Sequence, residues 1–160
     1  MSVAFRRESD EEHLEPKFEV PIPVGPNLVT ARGRALIAGR VDELERAVVD
    51  SGTPIEKTYE AEALLKLKRD LRYWRTRLAT AQLSSPPPEG HVGFGSRVRF
   101  LLKGVEKTVD IVGSDEAEPA EGRLAFTAPL VRAIMGLREG DFADFAGKSD
   151  AIEILEVSFL

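Results

Sequence analysis

The chain has no cysteine, which excludes disulfides and thiolate metal sites and fits a reducing compartment, so a cytoplasmic protein is expected. Histidine is scarce too. His13 and His91 lie far apart in polar sequence, with no ligand cluster around either and no nucleophile paired with a base anywhere in the chain. No apolar run approaches the ~20 residues of a membrane span, and Arg6, Arg7, Glu8, Asp10, Glu11 and Glu12 leave no room for the apolar core of a signal peptide. Positive charge is in deficit at a net −5, which disfavours bare nucleic acid as a partner and any DNA specificity. A phosphate-cradling loop is missing as well: Gly93-Phe94-Gly95 lacks a third glycine and follows no buried strand, so it reads as a strand-entry turn.

What the chain does have is a period. Leu64, Leu67, Leu71, Trp74, Leu78 and Ala81 are spaced three, four, three, four, three, the seam of a coiled-coil helix. Lys66, Lys68, Arg69, Asp70, Arg72, Arg75 and Arg77 fill the positions between and predict solvated outer faces. The seam ends at Ser84-Ser85-Pro86-Pro87-Pro88, which no helix continues through. Upstream, Thr30 is a fitting N-cap, and Ile37, Val41, Leu44 and Val48 form a shorter matching seam. Gly52 suits a helix C′ position, and Thr53-Pro54-Ile55-Glu56 is a capping box with proline at the first helical position. The two helices are therefore expected to form an antiparallel hairpin over 30–83, with a first helix of about 20 residues, or roughly 30 Å. Residues 1–29, with Pro16, Pro21, Pro23 and Pro26, read as a flexible tail. Trp74 and Leu78, beyond the reach of the shorter seam, need cover from that tail or from the C-terminal part.

Residues 84–90 read as a linker, and the period changes after it. Val98, Phe100 and Leu102 alternate with Arg97, Arg99 and Lys103, as in a half-buried strand. Strands are expected at 105–112, 123–126, 142–145 and 152–159, with Ile152, Ile154 and Val157 facing in, and a short apolar helix at 129–135 closed by Gly136. The fold class is thus α+β: a helical hairpin, then an antiparallel-sheet domain over 91–160.

Four carboxylates are candidates for function. Asp50 ends the first helix, where the macrodipole disfavours an anion, although Asp-Ser-Gly also suits a plain turn. Glu56 could ligate a cation, yet the capping box already accounts for it. Asp115 and Glu116 could serve as an acid/base pair, but adjacent turn residues point apart, which favours a solvated or strand-capping role.

Several ordered motifs resemble the GreA/GreB transcript-cleavage factors of bacterial RNA polymerase. Thr30-x-x-Gly33 opens the first helix, and Leu78-Ala79-Thr80-Ala81-Gln82 closes the second. Val92-Gly93-Phe94-Gly95-Ser96-x-Val98, Ile111-Val112-Gly113-x-Asp115-Glu116-Ala117, Ala128-Pro129-Leu130-Val131-Arg132-Ala133-Ile134-Met135-Gly136, Gly140-Asp141 and Glu153-Ile154 follow in order. The resemblance covers about residues 28–160 and implies an FKBP-like C-terminal domain that docks at the polymerase secondary channel. On the family's pattern, docking falls to exposed residues around Asp115, Glu116, Pro129, Leu130, Met135 and Gly136. The hairpin then enters the channel, where its acidic tip shares an Mg²⁺ that activates water to cleave backtracked RNA.

The resemblance thus implies a monomeric accessory factor with no active site or cofactor of its own, partnered with RNA polymerase and in indirect contact with backtracked RNA. Asp50 matches the aspartate of the family tip, but Thr53-Pro54 stands where Glu-Asn is expected, and the first helix is about four turns shorter than in GreA. That removes about 20 Å of reach. Cleavage stimulation and plain channel blockade both remain open, as does a Rnk-type regulatory role on another enzyme. A prolyl isomerase is the reading from a different class, because an FKBP-like fold with Phe94, Phe100, Phe126, Phe142, Phe145 and Phe159 could line an aromatic pocket.

Overall fold

A computed structural model describes residues 18–52 and 59–160. Thr53–Glu56, and with them Glu56 and the proposed capping box, lie outside the described residues, as does His13. Helix α1 (Ala31–Asp50) begins at Thr30, whose Oγ1 accepts from the Gly33 N–H at 2.9 Å, the expected N-cap. Helix α2 spans Tyr59–Ala79. The two pack along a narrow core of Val41, Leu44 and Leu71, with Val48, Leu67, Trp74 and Leu78 against it. Trp74 and Leu78 therefore find cover within the hairpin itself, not from the tail or the C-terminal part as the offset between the seams had suggested.

Several expectations shift, among them the last strand, which begins at Lys148 and not at 152. Residues 27–29 belong to the fold, not to the tail: strand β1 (Leu28–Val29) pairs in parallel with β2 (Gln82–Leu83), and Asn27 and Val29 are buried. Two-residue strands carry no period, so the pairing left no mark in the pattern. The second seam stops at Ala79, because Ala81 lies beyond α2 in the turn that leads to β2. Arg77, assigned to a solvated face, is only 3% exposed. Ahead of β1, Glu19 meets Arg72 of α2 through two hydrogen bonds of 3.1 and 2.5 Å, which hold its carboxyl below the usual range. The pair is exposed, so it contributes little.

The C-terminal domain is a five-stranded sheet built from β3 (Ser96–Leu102), β4 (Val105–Val112), β5 (Arg123–Ala125), β6 (Phe142–Phe145) and β7 (Lys148–Phe159), in the order β5-β4-β3-β7-β6. The α+β class holds, but the sheet is mixed: β5 runs parallel to β4, with Asp110 opposite Arg123. The reason is the path between them. Two 3-10 turns, Ser114–Glu116 and Pro119–Glu121, carry the chain back before β5 begins, and Gly122 (φ +73°) turns it into the strand.

Helix α3 (Pro129–Ile134) covers the inner face, where Val98, Phe100, Ile111, Val131, Ile134, Ile152 and Ile154 form the core. Ile152 and Ile154 face in as expected. Val157 packs on the same core although it lies three positions on from Ile154, out of phase with strict alternation. The pairing moves from Phe100–Ile154 to Arg99–Glu156, so Leu155 is a bulge residue that resets the alternation. The outer face is polar: Arg97 is bidentate to Asp110, and Arg99 bridges Glu106 and Glu156. Gly93-Phe94-Gly95 is the expected strand-entry turn, with Gly95 at φ +80° and the Ser96 N–H donating to the Gly93 carbonyl at 3.1 Å.

Candidate functional site

The candidate residues fall at three places. At the far end of the hairpin, Asp50 is the last residue of α1 and is exposed. Ser51 closes the helix, its N–H and Oγ both donating to the Ala47 carbonyl at 3.1 and 2.7 Å, and Gly52 follows at φ +62°. The αL glycine is the expected C′ residue. Asp50 is thus exposed at a well-formed helix end. Glu45, just over a turn behind, is held by Arg75 at 2.7 Å.

On the C-terminal domain, Pro129, Met135 and Gly136 are exposed at the two ends of α3, while Leu130 is half-buried against the core. The four are positioned at the two ends of a six-residue helix whose Val131 and Ile134 are fully buried.

Asp115 and Glu116 are elsewhere, and neither is the exposed docking or solvated turn residue expected from the sequence. They sit on the first 3-10 turn, which lies against the base of the hairpin. The Asp115 side chain is 8% exposed and turns to α2, where it accepts from Arg77 Nε at 2.5 Å and from the Tyr73 hydroxyl at 2.6 Å. The Glu116 side chain is 4% exposed and turns to α1, accepting from Thr30 Oγ1 at 2.5 Å and Arg32 Nη1 at 3.1 Å. The approach is close on both sides. A Cβ on Gly33 would lie 2.5 Å from Glu116 Oε2, and one on Gly113 would lie 2.4 Å from the Leu28 carbonyl oxygen. Asn27 completes the junction, donating to the Arg77 carbonyl at 2.7 Å and to Thr80 Oγ1 at 3.1 Å. Adjacent acidic residues do point apart, as expected, but each points into a helix.

Tyr73, Arg77, Thr30, Arg32 and Asn27 were not legible as site residues. Tyr73 and Arg77 at i and i+4 share one face of α2, and that spacing beside the seam was the available signal. Burial, followed by the hydrogen bond to Asp115, pushes the Tyr73 hydroxyl up to about 12 from its ordinary 10.0. A raised folded-state value means the neutral phenol is favoured by folding. Its contribution is complete below about pH 10 and disappears as pH climbs from about 10 towards 12. The Tyr73→Phe chain should therefore show a shallower loss of stability than the parent between about pH 10 and 12, read as the shift in urea midpoint.

Of the α2 arginines expected on solvated faces, Arg72, Arg75 and Arg77 are each engaged by a carboxylate. The aromatic residues do not gather into a pocket lining: Phe100 is in the core, Phe94 and Phe126 meet edge-to-face at 5.7 Å, and Phe142 and Phe159 are exposed.

A helical hairpin locked by charged groups to a mixed-sheet domain with one short covering helix is the architecture these residues build. Residues 87–159 match the family described as "Transcription elongation factor, GreA/GreB, C-term". The chain is 32% identical over 155 residues to the transcription elongation factor GreA of Methylococcus capsulatus, covering 82% of this chain and 97% of that one. It is 36% identical over 107 residues to GreA of Nitratiruptor sp., covering 63% and 66% of the two chains. Among solved structures, GreA/GreB from Nitrosomonas europaea matches at 18% identity and a TM-score of 0.40, covering 84% of this chain and 99% of that one. The GreA factor homolog Gfh1 of Thermus thermophilus matches at 14% and 0.37, with the same coverage. The chain belongs to the GreA/GreB family.

Proposed function

We propose that this chain is a transcription elongation factor that binds RNA polymerase through its C-terminal domain and places the hairpin in the secondary channel. The observation that carries the reading is the alignment with the Methylococcus factor, which takes in 97% of that protein and 82% of this chain, too much for either the hairpin or the C-terminal domain to supply alone. The apolar ends of α3, at Pro129 and Met135, supply a docking surface on a rigid core.

At the tip, Asp50 offers one carboxylate. Mg²⁺ prefers six oxygen ligands and keeps several waters, so a single exposed aspartate fits as one shared ligand of an ion held mainly by the polymerase. Bound there, the ion would activate water against the RNA phosphodiester. This chain's own part is to carry the carboxylate to that point and to fill the channel around it.

Reach decides between cleavage and blockade. The alignment with the Methylococcus factor is 155 positions long yet takes in only 82% of this 160-residue chain, so the relative has residues that this chain skips. Shared between the two arms of the hairpin, the roughly 24 residues skipped amount to about 18 Å of reach, against ligand distances near 2 Å. This favours occupancy of the channel without cleavage as the second reading.

Backtracked elongation complexes mixed with the factor test both. Binding to polymerase core is expected, and release of short 3′ RNA fragments that vanishes in Asp50→Ala would establish cleavage. Binding with slowed elongation and no fragments would establish blockade. If the intact chain shows no affinity for polymerase core, the proposal fails.

A further inference from the structure

We infer that Asp115 and Glu116 are positioning residues: together they form a latch that sets the direction in which the hairpin leaves the C-terminal domain. This rests on the function proposed above only for its last consequence, the aim of the hairpin inside the channel.

The two parts of the chain have separate hydrophobic cores, one between α1 and α2 and one beneath the sheet. At the junction, besides the buried Val29 of β1, hydrogen bonds and ion pairs join the two, and such bonds are directional where apolar contact is not. Two consecutive carboxylates grip two different helices, Asp115 through Arg77 and Tyr73 of α2, Glu116 through Thr30 and Arg32 of α1. One such grip would leave the hairpin free to rotate about it; two, on opposite helices, fix both tilt and rotation. A buried ion pair adds little net stability over an apolar substitute, so specifying one geometry is what it does better than leucine would. Gly33 and Gly113 let the surfaces close to distances at which any side chain would collide.

The lever is long. Helix α1 has 20 residues, so an angular error of about 10° at its base moves the tip by roughly 5 Å. That is more than twice a metal–ligand distance. The junction, far from the tip, therefore governs what Asp50 can reach.

The absence of cysteine makes the test clean. Spin labels on Val49→Cys and Val105→Cys, both exposed positions on the hairpin and the sheet domain, report the distance between the two parts by double electron–electron resonance. One narrow distribution is expected for the otherwise unchanged chain. Asp115→Asn combined with Glu116→Gln should broaden or split it.

Gly33→Ala should do the same from the opposite side. It keeps every charge and improves helix propensity while displacing the Glu116 carboxylate. Circular dichroism confirms that both variants retain their helices. If the double variant is damaged in folding, Gly33→Ala decides alone.

A distribution that stays single and narrow in the folded variants overturns the latch. In transcription assays the variants should bind polymerase within about threefold of the parent yet lose about tenfold of the effect on elongation or cleavage at saturating factor. A full transcript effect despite a broadened distribution would overturn the positioning role. If the parent itself does not bind polymerase, the proposed function falls while the distance measurement still decides the latch.

Discussion

Replacing Arg77 by methionine lowers the free energy of unfolding by about 3–5 kcal/mol, the cost of leaving a buried charge without its partner. Arg77 is 3% exposed and Asp115 8%, so water cannot solvate the abandoned carboxylate, and the Tyr73 hydroxyl at 2.6 Å replaces only part of what the guanidinium supplied. Truncating exposed arginines such as Arg75, paired with Glu45 at the surface, should cost well under about 1 kcal/mol.

Urea unfolding followed by the fluorescence of Trp74, the single tryptophan, makes the comparison directly, since it sits three residues from Arg77 on α2. A second chain separates charge from packing. Arg77→Met combined with Asp115→Leu and Tyr73→Phe removes the whole polar set and should regain most of the lost stability, because a buried ion pair and its apolar replacement are close in energy. A triple variant no more stable than Arg77→Met would place the cost in lost packing. A salt titration adds an independent check: the Arg77–Asp115 contribution should persist at 1 M salt, where exposed pairs are screened within about 3 Å.

The same residues show where sequence reasoning reaches and where it stops. Heptad spacing located both helices of the hairpin because the period is local: Val41, Leu44, Leu71 and Trp74 meet through their own helix faces. Alternation likewise located β3, where Val98, Phe100 and Leu102 turn inward and the signal lies within the strand itself. Asp115 and Glu116 had no such signature. Their partners are 38 to 86 residues away, and a pair of acids on a turn reads the same whether it faces water or a helix.

One departure from the pattern did point inward, in physical terms. A glycine in the first turn of α1, at Gly33, costs helix stability by about 1 kcal/mol relative to alanine, a cost that makes sense where a neighbour comes too close for a side chain. Arg77 stands beside a seam residue, where a buried arginine and an exposed one are spaced alike. The parallel β5 was hidden because a three-residue strand cannot show its direction. At the tip, Asp50 was legible as a helix end, while its chemistry depends on a partner surface and on the length of the lever behind it.

The second large effect concerns the body that anchors that lever. Phe100→Ala is expected to destabilise the C-terminal domain by about 3–5 kcal/mol, the range for deleting a buried aromatic side chain. Phe100 lies on β3, the central strand of the sheet, with 0% exposure, and its pairing partner Ile154 precedes the bulge at Leu155. The side chain meets Val131 and Ile134 of α3 within one core, so the cavity opens beneath the helix that carries Pro129 and Met135. A domain of about 70 residues has only about 4–10 kcal/mol to lose, and this substitution removes a large share of it.

The functional consequence differs in kind from that of the latch variants. Weakening the junction should leave polymerase binding in place and misdirect the hairpin. Opening the core beneath α3 should loosen the docking surface itself and lower affinity for polymerase core, although none of the exposed residues is changed. Hydrogen exchange on the Phe100→Ala chain should show protection lost throughout β3, β4 and β7 and retained in α1 and α2, provided the hairpin core of Val41, Leu44 and Leu71 stands by itself. Protection lost equally in both helices would show instead that the latch couples the hairpin's stability to the sheet, making the two parts one cooperative unit.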